Sequence, residues 1–146
     1  MNRLTTFEIN EVHFGIAIEN VIEVIQIPRY TRLPNTYSYI MGIFNHRGSF
    51  LGLFDIGQIF GLGDTNIQED SKCILIGNGK FSAGILVTNL HHLIEPKVSE
   101  SLNSDLTSVA PGIKRFVDGY IKIKNDKFYV LNVDKLFLSE EFTVYL

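Results

Sequence analysis

"GIFNHRGSFLGLFDIGQIF", residues 42–60, reads as two short strands joined at Arg47-Gly48 and running on into a helical turn. The same grammar returns in "GYIKIKNDKFYVLNVDKLF", residues 119–137. Gly42 falls on Gly119, Leu53 on Val130, Phe54 on Leu131, Ile56 on Val133, Ile59 on Leu136 and Phe60 on Phe137, at a constant offset of 77. Upstream, "GIAIENVIEVIQI" (15–27) lies over "GILVTNLHHLIEP" (84–96). There Gly15 meets Gly84, Ile16 Ile85, Asn20 Asn89, Val21 Leu90, Val24 Leu93 and Ile25 Ile94, at an offset of 69. The second copy thus carries eight extra residues between its two blocks. Two copies fall short of the roughly three that a solenoid needs to bury its faces. The duplication points instead to two small units about a pseudo-twofold axis, with copies at about 10–62 and 72–140 of a single 146-residue domain.

Each copy reads mainly as strand. "TTFEI", "HFGIAI", "IMGIFN", "FLGLF", "CILIG", "FSAGILV", "GYIKI" and "KFYVLN" are short, rich in β-branched and aromatic residues, and bounded by Gly, Asn, Asp or Ser. In "IGNGKF" (76–81), Asn78-Gly79 predicts a two-residue hairpin turn with positive φ at both residues. "KNDK" (124–127) reads as the matching hairpin of the second copy, within one residue of the positions that "HRGS" (46–49) reaches at the offset of 77. Helical turns are predicted for "ENVIEVI" (19–25), "DIGQIFG" (55–61) and "NVDKLFLSEE" (132–141), with Asp55 as N-cap of the second. Many short strands joined by hairpins suit a small barrel, whose closure removes exposed edges. "LGDTNIQEDSK" (62–72) reads as a linker between copies, and "KVSESLNSDLTSVAPG" (97–112) as the site of the eight-residue excess.

A chain of this length buries about 68–70% of the surface that its unfolded form exposes, so a core forms without staples. The net charge of −3 argues against non-specific binding to nucleic acid or to an acidic membrane, both of which need a basic patch. The amino end has no apolar block with a cleavage site, and no run of 18 apolar residues occurs. A cytoplasmic protein without a signal peptide or membrane span is therefore expected. One cysteine, Cys73 in "KCILIG", permits no intramolecular disulfide and reads as a small buried hydrophobe.

Motifs for catalysis are missing. No "GxSxG", "HExxH", "CxxC" or "GxxxxGK[ST]" occurs, and the "GNGK" at 77–80 is followed by Phe81 and flanked by strands. His91 and His92 are adjacent and so do not share a face, while His13 and His46 have no Cys or His at ligand spacing. Neither a metal nor a cofactor is expected. An enzyme using Arg47 and Asp55 on an anionic substrate lacks a base–nucleophile pair, so a non-enzyme is the expectation. Arg47 is either a solvated turn residue or a guanidinium that fixes carbonyls or a partner carboxylate beside an apolar surface.

Four blocks carry a resemblance: "FGIAIENVIEVI" (14–25), "RLPNTYSYIMGIFNHRGSFLGLFDIGQIFGL" (32–62), "SAGILVTNLHHLI" (82–94) and "GYIKIKNDKFYVLNVDKLF" (119–137). In this order they resemble the CheW-like coupling proteins of bacterial chemotaxis and related motility pathways, most specifically through "NHRG" (45–48). The resemblance implies a mostly β fold of two SH3-like β-barrel subdomains with short helices and with elements exchanged between them. It implies a non-enzymatic adaptor without cofactor or nucleic acid. Its partners would be the regulatory domain of a CheA-type histidine kinase and the cytoplasmic tip of a methyl-accepting chemoreceptor, which would recruit it to membrane-bound arrays. By the same resemblance, Arg47 and Gly48 belong to the receptor-facing surface, with Asn45 and the strand-opening Gly42 in that block. Val21 and Glu23 match positions close to the partner surfaces. The chain departs from the family pattern at His46, at Gly52 (where proline is usual) and at Thr88-Asn89 (where an acidic residue is usual). No receiver segment follows Leu146 and no kinase block is present, so a free-standing coupling module is expected. The alternatives are a sensor holding an apolar ligand between the barrels, which 11 Phe and 6 Tyr permit, or a self-associating module.

Overall fold

A computed structural model describes residues 3–97 and 100–143. Val98 and Ser99, from the polar stretch 97–112, and the outermost residues at both ends lie outside them. The strands are β1 (Leu4–Ile9), β2 (Val12–Ala17), β3 (Val21–Gln26), β4 (Ile40–His46), β5 (Ser49–Phe54), β6 (Lys72–Gly77), β7 (Ser82–Val87), β8 (Asn89–Ile94), β9 (Val117–Ile123) and β10 (Asp126–Leu131). Short helices are α1 (Ile56–Ile59), α2 (Pro111–Lys114), α3 (Val133–Leu138) and α4 (Glu140–Thr143). The strands form two five-stranded sheets, sheet A in the order β8-β1-β2-β10-β9 and sheet B in the order β3-β6-β7-β5-β4. Exchanging β1 with β6, β2 with β7, β3 with β8, β4 with β9 and β5 with β10 turns one order into the other. The fold is thus mostly β, two SH3-like subdomains related by the duplication read in the sequence.

Neither sheet is drawn from one copy. Sheet B takes β3 to β5 from the first and β6 and β7 from the second, while sheet A takes β1 and β2 from the first and β8 to β10 from the second. Each sheet also curls on itself. β3 and β4 stand at opposite ends of the sheet B order, yet Glu23 of β3 lies 3.2 Å from Arg47 just beyond β4. Ile25 of β3 packs with Phe44 of β4 in one cluster, so the two edges approach each other around a core.

Among the described residues the apolar side chains gather in three clusters, and strand alternation explains them. In β6, Cys73 and Leu75 face the inside of sheet B, whereas Ile74 and Ile76 face the large core shared by both halves. A strand buried on both faces reads as an unbroken apolar run, which is why "CILI" shows no alternation. Phe44, Leu53 and Cys73 inside sheet B have Ile121, Val130 and Leu4 as their counterparts inside sheet A. The shared core is aromatic, with Phe7, Phe14, Phe54, Phe60, Phe116, Phe137 and Phe142 at its centre and Phe54 stacked on Phe142 at 3.9 Å.

Gly42 and Gly119 do not open their strands but stand third in β4 and β9, in the same unusual conformation, each with φ 155°. Each lies against a crossing segment held by an isolated bridge, Thr31 to Ile43 in one half and Asn103 to Tyr120 in the other. A Cβ on either glycine would lie 2.2 Å from the Thr31 or the Asn103 carbonyl oxygen. The bridges also divide the eight-residue excess. Thr31 maps to Asn103 at an offset of 72, so three extra residues precede the bridge and five follow it, in the stretch that includes α2.

Three expectations change on folding. Residues 19–25 form no helix: a 3-10 turn at Ile18–Asn20 leads into β3. Val21, Val24 and Ile25 have helical spacing, but pairing with β6 supplies a ladder that stiff β-branched side chains favour. The β6–β7 connection spans four residues, with Gly77 paired to Ser82, and of Asn78-Gly79 only the glycine has positive φ, at 86°. The Asn78 carboxamide oxygen there accepts from the N–H groups of Lys80 (2.9 Å) and Phe81 (2.8 Å). Asp55 stands at the N-cap position of α1 but makes no side-chain capping bond. Its buried carboxylate instead accepts from the Thr65 hydroxyl, the Thr65 N–H (3.0 Å) and Gln58 Nε2 (3.1 Å). Its counterpart Asn132 does cap α3, accepting from the Lys135 N–H at 3.0 Å.

Two predictions arise here. Asp55→Ala leaves two buried donors of Thr65 unpaired and costs about 2–3 kcal/mol, read as a lower urea midpoint with an unchanged slope. Burial pushes the Cys73 thiol from 9.0 up to about 12. The native protein therefore resists thiol reagents at pH 8 and reacts once unfolded. Because the unfolded chain releases this proton first, Cys73 contributes its full stability below pH 9.0 and loses it as pH climbs towards about 12.

Candidate functional site

The β4–β5 hairpin closes with His46 opposite Ser49, so its loop is Arg47-Gly48 alone. Both loop residues have positive φ, 49° and 88°, the primed geometry that matches the twist of the flanking strands. Arg47 is an uncommon occupant of the first position, since a side chain there is mildly strained. Asn45 stabilises the bend, its Oδ1 accepting from the Gly48 N–H at 3.1 Å. Thus three of the four residues in "NHRG" have turn or tip roles that spacing alone does not reveal.

The fourth, His46, meets Glu23. Its Nε2 lies 3.4 Å from Glu23 Oε1, and Arg47 Nη2 lies 3.2 Å from the same oxygen. Arg47 is 77% exposed and Glu23 31%, so the pair contributes only about 0–1 kcal/mol to folding. Its effect is orientational. One face of the guanidinium is braced across the seam between β3 and β4 while its other donors face solvent. Phe50, paired with Asn45 across the hairpin, is 72% exposed and sets a large apolar ring beside this charged tip. Arginine and exposed aromatic side chains are residue types enriched at protein-docking surfaces.

The fold therefore brings Glu23, Asn45, Arg47 and Gly48 together. Val21 and Gly42 are placed elsewhere: Val21 packs against the shared core, and Gly42 is buried beneath Thr31. The sequence reading missed His46 and Phe50 as members of this site. The signal for Phe50 was available, since a two-residue loop fixes it opposite Asn45. Gly52 sits in the β5 ladder opposite Ile43, where a Cβ would lie 2.8 Å from the Phe54 ring. Thr88 is a buried junction, its N–H donating to the Glu8 carbonyl (2.9 Å) and its carbonyl accepting from Ser71 (2.7 Å).

Arg47 and Asp55, considered together for catalysis, are occupied by different partners, Glu23 for the first and Thr65 with Gln58 for the second. The space between the sheets is filled by the aromatic core, so no observation favours an apolar ligand there. On sheet A, Glu8, His13 and His91 come together with metal-ligating atoms. A spacing rule could not foresee this, because it sees only ligands close in sequence.

Two intertwined five-stranded β subdomains related by duplication define the class of fold. The chain belongs to the CheW-like family, whose domain model matches residues 3–141. It is 29% identical over 123 residues to the chemotaxis protein CheW of Helicobacter pylori, covering 80% of this chain and 74% of that one. To protein FrzA of Myxococcus xanthus it is 29% identical over 96 residues, covering 66% of this chain and 60% of FrzA. The crystal structure of the scaffolding protein TtCheW from Thermoanaerobacter tengcongensis superposes with a TM-score of 0.83 at 24% identity, covering 96% of this chain and 90% of that one. The chain is accordingly a coupling adaptor of the chemotaxis and motility type.

Proposed function

We propose that the chain holds the cytoplasmic tip of a chemoreceptor and the regulatory domain of a CheA-type kinase in one complex. The Arg47 hairpin belongs to the receptor side. The carrying observation is a guanidinium that is held on one side by Glu23, which His46 also approaches, yet left largely solvent-facing. Helical receptor tips offer carboxylates and carbonyls that such a fork recognises in a directed way. Two partners at about 800 Å² each would cover roughly a fifth of the 8147 Å² surface, which leaves room for both at once. Among the described residues no helix is long and apolar enough to cross a membrane, and the adaptor works from the cytoplasm, recruited by its receptor.

The test is co-purification of the full chain with a receptor tip and with a kinase regulatory domain, each offered alone. Retention of both supports the reading. Loss of both, by a chain that is folded by circular dichroism, overturns it.

A further inference from the structure

We propose that Glu8, His13 and His91 form a binding site for a zinc-like divalent cation on sheet A. The residues come from three neighbouring strands, β1, β2 and β8. Glu8 lies directly opposite His13 in the β1–β2 register, so their side chains share a face. His91 reaches the same carboxylate from β8, with Nε2 2.8 Å from Glu8 Oε1. One ligand atom from each residue falls within 4.8 Å of the others. Two ligands on a tetrahedral zinc at about 2.1 Å are about 3.4 Å apart, so small side-chain rotations complete the set.

The chemistry fits a borderline-soft cation. Two imidazoles and one carboxylate suit zinc and its neighbours, whereas magnesium and calcium prefer all-oxygen sets. Partners around the site are already in place. Asn89 Nδ2 donates to Glu8 Oε1 at 3.3 Å, and the His13 ring packs against Phe128 at 5.1 Å between centroids. Such neighbours fix the orientation of ligands. Glu8 is 16% exposed and His91 37%, so an open position remains for water or for a donor from another molecule.

The duplicated fold supplies an internal comparison. At the offset of 69, Glu8, His13 and His91 correspond to Gly77, Ser82 and Ile22 of sheet B. Those three residues also share one place, lining a shallow cleft with Lys80 and Phe81. Sheet B thus builds the same corner with no strong ligand at any of the three corresponding positions, although Glu19 and Lys80 also line that cleft, so architecture alone does not require the His-His-Glu set. A bound cation would pin the edge strand β8, from the second copy, to the β1–β2 hairpin of the first.

The experiment uses the full untagged chain, stripped with EDTA and titrated with zinc chloride, with magnesium chloride in parallel. The expected result is one zinc per chain, a Kd of about 10 μM or tighter, no magnesium uptake, and a raised Tm in zinc. His91→Ala and His13→Ala weaken zinc binding at least about tenfold and abolish the Tm rise, while His92→Ala changes neither. His91 is partly exposed, so its variant stays folded even if the His13 variant does not. Zinc uptake that is absent, weaker than about 10 μM, or unchanged in His91→Ala overturns the proposal and leaves an ordinary His91–Glu8 hydrogen bond. Receptor and kinase binding do not enter this readout.

Discussion

Gly42→Ala is expected to destabilise the protein by roughly 3–5 kcal/mol, enough to remove most of a typical domain's stability. Two costs combine. The residue sits at φ 155°, where L side chains are strained, and its new Cβ would lie 2.2 Å from the Thr31 carbonyl oxygen. That oxygen accepts from the Ile43 N–H at 2.9 Å, so relief by backbone movement breaks the bridge next to the substitution. Gly119→Ala repeats the experiment in the other half, with the Asn103 oxygen at 2.2 Å. Gly48→Ala is the control. It also has positive φ, but nothing lies within 4 Å of its Cβ, so a loss of about 1 kcal/mol is expected. Urea denaturation of the three variants ranks them. Equal losses at Gly42 and Gly48 would mean that the crossing carbonyl has no part in the effect.

Arg47→Glu is expected to weaken receptor-tip binding by about 10–100-fold while changing folding stability by less than about 1 kcal/mol. The reversal sets a second carboxylate against Glu23 at an exposed bend, where repulsion is screened and the new side chain turns away into water. A receptor surface selected by a guanidinium meets like charge or loses its donors. Arg47→Lys keeps the charge but not the fork and gives an intermediate loss. Affinity for the kinase regulatory domain is measured alongside. If circular dichroism shows Arg47→Glu unfolded, the arginine is a structural anchor and the docking role fails.

Much of the fold was legible because local signals and long-range packing agreed. The offsets of 69 and 77 expose the duplication, and the eight strand segments with strong β-branched or aromatic content all form. The two missed strands, β3 and β8, are counterparts. Val21, Val24 and Ile25, like Leu90, Leu93 and Ile94, are spaced as on a helix face. Each strand lies at the edge of its sheet and finds its partner in the other copy, which no local window reveals. The site was half legible for a similar reason. The Arg47-Gly48 bend follows from the sequence, but its brace comes from Glu23, 24 residues earlier on the opposite edge. Asp55 was misread because its carboxylate answers to Thr65, ten positions along a segment that looks like a mere linker.

The way the strands are shared also dictates an order in which a nascent chain can assemble. All five members of sheet B fall within residues 21–87, so they can pair as soon as Val87 has left the ribosome. Sheet A is written at both ends of the message: His13 waits for Phe128, 115 positions later, before its parallel neighbour exists. Until translation passes residue 131, the opening β-hairpin has only β8 on one side and a half-built core for shelter, with Phe7 and Phe14 in need of cover. In this topology the earliest residues synthesised are among the last to find their places.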